Sequence, residues 1–211
     1  MLEKVITYYG EHKEAYWSAF ITHISISLRV ILIAAAIGIP LGIFCAKYRR
    51  TAKYISGFVN FLRVVPSLAL MVILIPIMGI GKVTAMVALT VIAMPAIMIN
   101  TTAGFLSVEP MVLETARGMG MDAFQVFTRV EVPLAFPLIL TGLRTSAVET
   151  IASATIASYI GAGGLGDFVY KGLGMNRTEI VLLGGVSIAV FSIVVDILLA
   201  IYQGYVGRYL E

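Results

Sequence analysis

The residues here whose type and spacing could do chemistry fall into two sets. Five charges, Arg29, Arg63, Arg144, Glu149 and Asp196, stand inside long apolar stretches. A charge in such a setting requires a partner, a watery path or a passing ligand. The second set is the polar segment 107–133, SVEPMVLETARGMGMDAFQVFTRVEVP, which carries Glu114, Thr115, Ala116, Arg117, Gly120 and Asp122. Neither set fits covalent catalysis. No nucleophile–base pair, no metal-spaced cluster and no GxxxxGKS or GxxxxGKT stretch occurs. His12 and His23 lie far from any second ligand set and read as polar interface residues. The chain is therefore expected to be no enzyme, with no catalytic residue, metal or cofactor of its own.

The elements that position these residues follow from composition. Of 211 residues, 13% are charged and 59% hydrophobic, and the mean hydropathy is +0.96. Soluble domains carry about 25% charged residues. A soluble globule of this size could not hide so much apolar surface, and disordered chains have the opposite composition. The single Cys45 excludes a disulfide scaffold. A net charge of +3 supplies no basic patch for nucleic acid. An all-α integral membrane protein in contact with lipid remains.

Apolar stretches of about 18 residues or more mark helices that cross ~30 Å of hydrocarbon. Five are expected, over 17–46, 56–79, 83–108, 134–160 and 180–203, within one transmembrane domain spanning 17–211. Barrel strands are shorter and alternate every second residue. Residues 1–16 form a separate interfacial segment. Leu2, Val5, Ile6 and Tyr9 share one helical face, and Tyr16 and Trp17 suit the headgroup zone. The short loop KYRRTAK holds Lys47, Arg49, Arg50 and Lys53 and no acid, which places it in the cytoplasm. A multi-pass chain in the cytoplasmic membrane follows, N-terminus outside and C-terminus inside.

Pro40, Pro66, Pro76, Pro95 and Pro137 fall inside expected spans, where they kink helices. Gly38 and Gly42 form a GxxxG pair suited to close helix packing. Arg144 and Glu149 are five apart, about 140° round a helix, so they should not pair with each other. Asp196 can pair with Arg29 or with Arg144. The run Gly161 to Gly166 reads as a flexible turn at the outer mouth of the fourth span, suited to docking or gating.

Segment 107–133 is too polar to cross and too long for a minimal turn. Two short helices are expected. Pro110 opens the first, Gly118 and Gly120 break it, Asp122 caps the second over 123–130, and Pro133 ends it. Glu114-Thr115-Ala116, then Gly120, then Val130-x-Val132-Pro133 resembles the EAA loop of ATP-binding-cassette importer permeases. Thr115 replaces an alanine of that pattern, and valines replace Ile and Leu. The resemblance implies that Glu114, Thr115, Ala116, Arg117, Gly120 and Asp122 dock a separate ATPase, which binds the ATP and Mg. Ala116 suits a buried docking face, and Gly120 a turn where a side chain would clash. Glu114 and Arg117 either contact the partner or staple the loop internally.

A wider resemblance covers about 21–203, through HISISLRVILIAAAIGIPLGI, GFVNFLRVVPSLAL, GIGKVTAMVAL and LRTSAVETIASATIASYIGAGGLGDFVYKGL. These are similar to the short permeases that import glycine betaine, carnitine or choline, and less so to methionine and ergothioneine permeases. The resemblance implies ATPase subunits, an extracellular substrate-binding protein and a second permease subunit, identical or a sister. For a cationic amine, Glu149 with the rings of Tyr159 and Phe136 makes a transient stop. Asn60, Arg63, Ser67 and Asn100 are further candidates for the path or its gate. A self-sufficient channel or secondary transporter, and a membrane sensor, are the competing classes.

Overall fold

The computed structural model describes residues 1–207, so 208–211 of the expected domain lie outside the described residues. The elements are α1 (Leu2–Glu11), α2 (Lys13–Lys47), α3 (Arg49–Val64), α4 (Ser67–Met78), α5 (Lys82–Leu106), α6 (Pro110–Gly118), α7 (Ala123–Val126), α8 (Val132–Ala157), α9 (Gly166–Gly174) and α10 (Thr178–Gly207). A π-helical turn, Phe127–Glu131, joins α7 to α8, and a 3₁₀ turn, Ser158–Ile160, ends α8. Among the described residues, four uninterrupted helices are long and apolar enough to cross a membrane: Lys13–Lys47, Lys82–Leu106, Ala123–Ile160 and Thr178–Gly207.

The expected second span, 56–79, is not one helix. α3 and α4 meet at 97°. Val65 is extended (φ −70°, ψ 121°), as the residue before a proline prefers, and Pro66 starts the new direction. The polypeptide must still cross here. Gly38 of α2 lies beside Ile97 of α5, and Gly42, one turn further on, lies beside Thr101, one turn further along α5. α2 and α5 therefore run the same way, and 48–81 makes the return. α4, with 12 residues, spans only about 18 Å, so part of the crossing falls to α3.

α5 is the centre of the bundle, packed between α2 and α8 by small residues. A Cβ at Gly42 would stand 2.6 Å from Thr101 Cβ and 2.8 Å from the Met98 carbonyl oxygen. At Gly38 it would stand 3.2 Å from Ile97. On the other flank, Gly142 of α8 brings its backbone against Asn100 and Ala96, and Gly104 of α5 sits on Ala135. The Thr102 hydroxyl reaches across to the Gly42 carbonyl at 3.1 Å. With lipid outside, helices gain little from apolar burial against one another, so close van der Waals packing and such bonds hold them. Val30, Ala34, Leu89, Ala93, Ile97 and Ala154 fill the shared core.

α1 turns Tyr8 into a cluster with Phe168, Ile180 and Leu183 and leaves Leu2 and Ile6 exposed. That amphipathic arrangement suits a helix lying at a headgroup boundary. The Tyr16 hydroxyl donates to Ser187 at 2.8 Å, which ties the start of α2 to α10.

Gly42→Leu should overpack the α2–α5 contact by about 1–3 kcal/mol. A lower melting temperature in detergent is expected. Gly57→Ala, with no atom within 4 Å of the new methyl, should be neutral to stabilising by roughly 0.5–1 kcal/mol.

Candidate coupling loop and transport path

The link between α5 and α8 is built by backbone chemistry. Pro110 opens α6, where its missing N–H leaves no helical bond unmade. α6 closes through Gly120 N–H to the Arg117 carbonyl at 2.9 Å and Met121 N–H to the Ala116 carbonyl at 3.2 Å. Gly120 has φ +87°, and no atom lies within 4 Å of where its Cβ would be. Glycine is thus required by the backbone conformation, which corrects the expectation of a steric clash. Asp122 caps α7 reciprocally: its carboxylate accepts from Gln125 N–H at 2.9 Å, and the Gln125 amide oxygen accepts from Asp122 N–H at 3.1 Å.

Pro133 does not end this helix. The π turn shifts the bonding so that Val132 N–H reaches the Phe127 carbonyl, and the helix continues through Pro133 into α8. The loop therefore runs into the fourth span without a flexible joint.

Ala116 is 3% exposed and turned into the chain. Its methyl is packed within the chain itself. Glu114, Thr115, Arg117, Gly120 and Asp122 are exposed. The Thr115 hydroxyl bonds back to the Met111 carbonyl at 2.8 Å. Glu114 and Arg117 form no ion pair among the described residues, so neither staples the loop. Sequence reasoning missed three exposed apolar side chains, Met111, Met119 and Phe124, the last 75% exposed. Apolar residues in a segment otherwise too polar to be buried were the available signal. Beneath α6 and α7 a cavity of about 710 Å³ opens against the ends of α2 and α5. Lys47, Phe105, Leu113, Arg117, Phe127 and Glu131 are among its lining.

Of the two partners open to Asp196, the structure takes Arg144. The guanidinium grips both carboxylate oxygens, Nη2 to Oδ2 at 2.8 Å and Nε to Oδ1. Nearby, the Gln203 amide donates to the Thr141 hydroxyl at 2.8 Å and the Pro137 carbonyl at 3.1 Å. α8 and α10 are thus joined by a polar ladder. Arg29 and Arg63 are exposed, Glu149 is half-buried, and none has an ion-pair partner among the described residues.

The candidate path residues do not form one cluster. Asn60, Arg63 and Ser67 gather at the α3–α4 elbow. Asn100 turns its amide back to the Ala96 carbonyl at 2.8 Å, at the contact with Gly142. Glu149 lies about two-thirds of the way along α8, and Tyr159 tops it, ten residues or about 15 Å further on. Phe136 is 13 residues the other way. Glu149, Tyr159 and Phe136 are therefore spread along α8 and do not meet as one transient stop.

The glycine run is not a flexible turn either. Gly164 (φ +105°) lies on the ring of the buried His23, whose Nε2 is 3.1 Å from the Ile151 carbonyl. Gly166 packs on the Thr155 carbonyl and Ser158. Asp167 follows. Burial pushes its carboxyl above the usual carboxylate range, against the opposing Ser158 hydroxyl and Lys82 ammonium.

An apolar helix bundle interrupted by one polar elbow has the build of a membrane permease. The chain belongs to the family described as the binding-protein-dependent transport system inner membrane component, whose model matches residues 38–206. It is 36% identical over 195 residues to a carnitine transport permease protein, OpuCB, of Listeria monocytogenes, covering 92% of this chain and 89% of that one. It is 38% identical over 181 residues to the glycine betaine/carnitine/choline transport system permease protein OpuCB of Bacillus subtilis (strain 168), covering 86% and 83%. The fold matches a permease chain in an inward-facing structure of the MetNI methionine ABC transporter, with a TM-score of 0.82 at 21% identity over 93% of this chain and 98% of that one.

Removing one member of the Arg144–Asp196 pair leaves a lone charge in the membrane, whereas removing both leaves none. Arg144→Met and Asp196→Leu should each lower the melting temperature in detergent, and the double variant should recover most of the loss.

Proposed function

We propose that this permease subunit carries a quaternary-amine osmoprotectant, such as glycine betaine, carnitine or choline, across the cytoplasmic membrane. The observation that carries the reading is identity of 36–38% to permeases named for those compounds, spread over 86–92% of the chain. In this reading a separate ATPase, holding ATP and Mg, seats against the elbow between α5 and α8. Glu114, Thr115, Arg117 and Asp122 supply polar contacts at its rim. Met111, Met119 and Phe124 are the apolar anchors, since large desolvated side chains supply most of the energy of an interface. Gly120 holds α6 and α7 at their mutual angle.

A second permease subunit completes the enclosure, because five crossings surround a poor pore alone. A substrate-binding protein delivers cargo to the opposite end, which carries α1 and the glycine run and faces outward. Asn60, Arg63 and Ser67 at the α3–α4 elbow serve as gate residues. Arg29, exposed on α2, turns toward that second subunit.

Reconstitution with the ATPase and binding protein tests the reading. ATP-dependent uptake of radiolabelled choline or glycine betaine is expected, and none without the ATPase. Gly120→Asp places a side chain at φ +87°. It should lower uptake at least tenfold while the protein stays inserted. Equal uptake with and without the ATPase would refute the reading.

A further inference from the structure

Tyr159 and Tyr170 stand next to each other at the end of the bundle away from the coupling loop. Their ring centroids are 5.5 Å apart and their planes meet at 50°. The two rings come from different elements, the 3₁₀ turn that ends α8 and the following helix α9. Tyr159 is 65% exposed, yet its neighbours Ser158 and Ile160 are buried. α9 is equally fixed. Gly166 seats its start on Thr155, and a Cβ at Gly172 would stand 2.6 Å from the Val181 nitrogen. Packing therefore holds the backbones, with the Tyr159 ring exposed and the Tyr170 ring half-buried beside it.

Below Tyr159 the same side of α8 stays open. Ala152 and Thr145 are exposed and Glu149 is half-buried, at spacings of seven, three and four residues that keep one helical face. The open strip is about 21 Å long. Glu149 is its one carboxylate among the described residues, and it has no ion-pair partner there. Asp167, also at the upper end, is engaged by the Ser158 hydroxyl and by Lys82 at the start of α5.

We propose that Tyr159 and Tyr170 form a receiving station for a quaternary ammonium group, from which cargo moves down the open face of α8 past Glu149. A quaternary nitrogen has no N–H to donate, so ring faces suit it better than hydrogen-bond acceptors. Two rings attract it weakly, which suits a passage site. A closed cage would retain what the binding protein has released. This station rests on the reading of the cargo as a quaternary amine.

The test is the number of choline or glycine betaine molecules imported per ATP hydrolysed, in the complete reconstituted complex with loaded binding protein. Tyr159→Leu and Tyr170→Leu should lower this ratio about three- to tenfold, as released cargo escapes backward, the size expected for losing a cation–π contact. Tyr159→Phe keeps the ring face and should hold the ratio near wild type. Melting temperatures show whether the leucine variants remain folded. Leucine variants with the wild-type ratio would overturn the station. So would uptake and hydrolysis falling in parallel, which marks the rings as a docking surface for the binding protein. If the wild-type complex imports no quaternary amine, the functional reading fails and the station with it. If only the tyrosine variants behave as wild type, the functional reading stands alone.

Discussion

The close approach of α5 to both α2 and α8 is the constraint on which the rest depends. Gly42, Gly104 and Gly142 bring three backbones nearer than a side chain there would allow, and Gly38 leaves tight room for one if its neighbours shift slightly. In lipid this packing takes the place that apolar burial holds in water. It also decides what the cytoplasmic elbow can do. The elbow begins where α5 ends, and through the π turn it continues into α8 as one helix. A push on α6 or α7 is therefore delivered to two helices that are already interlocked. The Arg144–Asp196 pair and the Gln203 bonds extend the unit to α10. What remains outside it is the α3–α4 arm, bent at Pro66.

Much of this was legible in the sequence, and the reason is physical. Long uncharged stretches have few alternatives to crossing a bilayer, and GxxxG has one usual meaning there, so α2, α5, α8 and α10 and the Gly38–Gly42 contact could be read directly. Asp122 as a cap and Pro110 as a helix opener are local backbone rules and needed no tertiary information. The prolines were harder, because the same residue has opposite outcomes. Pro66 breaks its span at nearly a right angle, while Pro133 is absorbed by five residues of π-helix. What decides is whether neighbouring residues can re-register their hydrogen bonds, and no residue type announces that.

Pair choice and facing were also beyond the sequence. Asp196 had two possible arginines, and only the register of α8 against α10 selects Arg144. Ala116 lies within the motif yet turns inward, while Met111, Met119 and Phe124, without motif status, turn outward. The glycine run around 161–166 shows the same limit. Its composition suggests mobility, but two glycines there answer close neighbours: His23 at Gly164 and Thr155 at Gly166. Tyr170 went unnoticed because its significance comes only from the ring it meets.

If α2, α5 and α8 move as one body when the ATPase drives the elbow, locking α2 to α5 should do no harm. In a Cys45→Ala background, Gly38→Cys with Ile97→Cys joins α2 to α5. The Cβ separation of 3.2 Å lies a few tenths of an ångström below the natural disulfide range of about 3.5–4.5 Å. ATP-driven uptake is expected to be the same with the bridge oxidised or reduced. Uptake that stops on oxidation and returns on reduction would mean that these helices slide past one another during transport, and the rigid-unit account would be wrong.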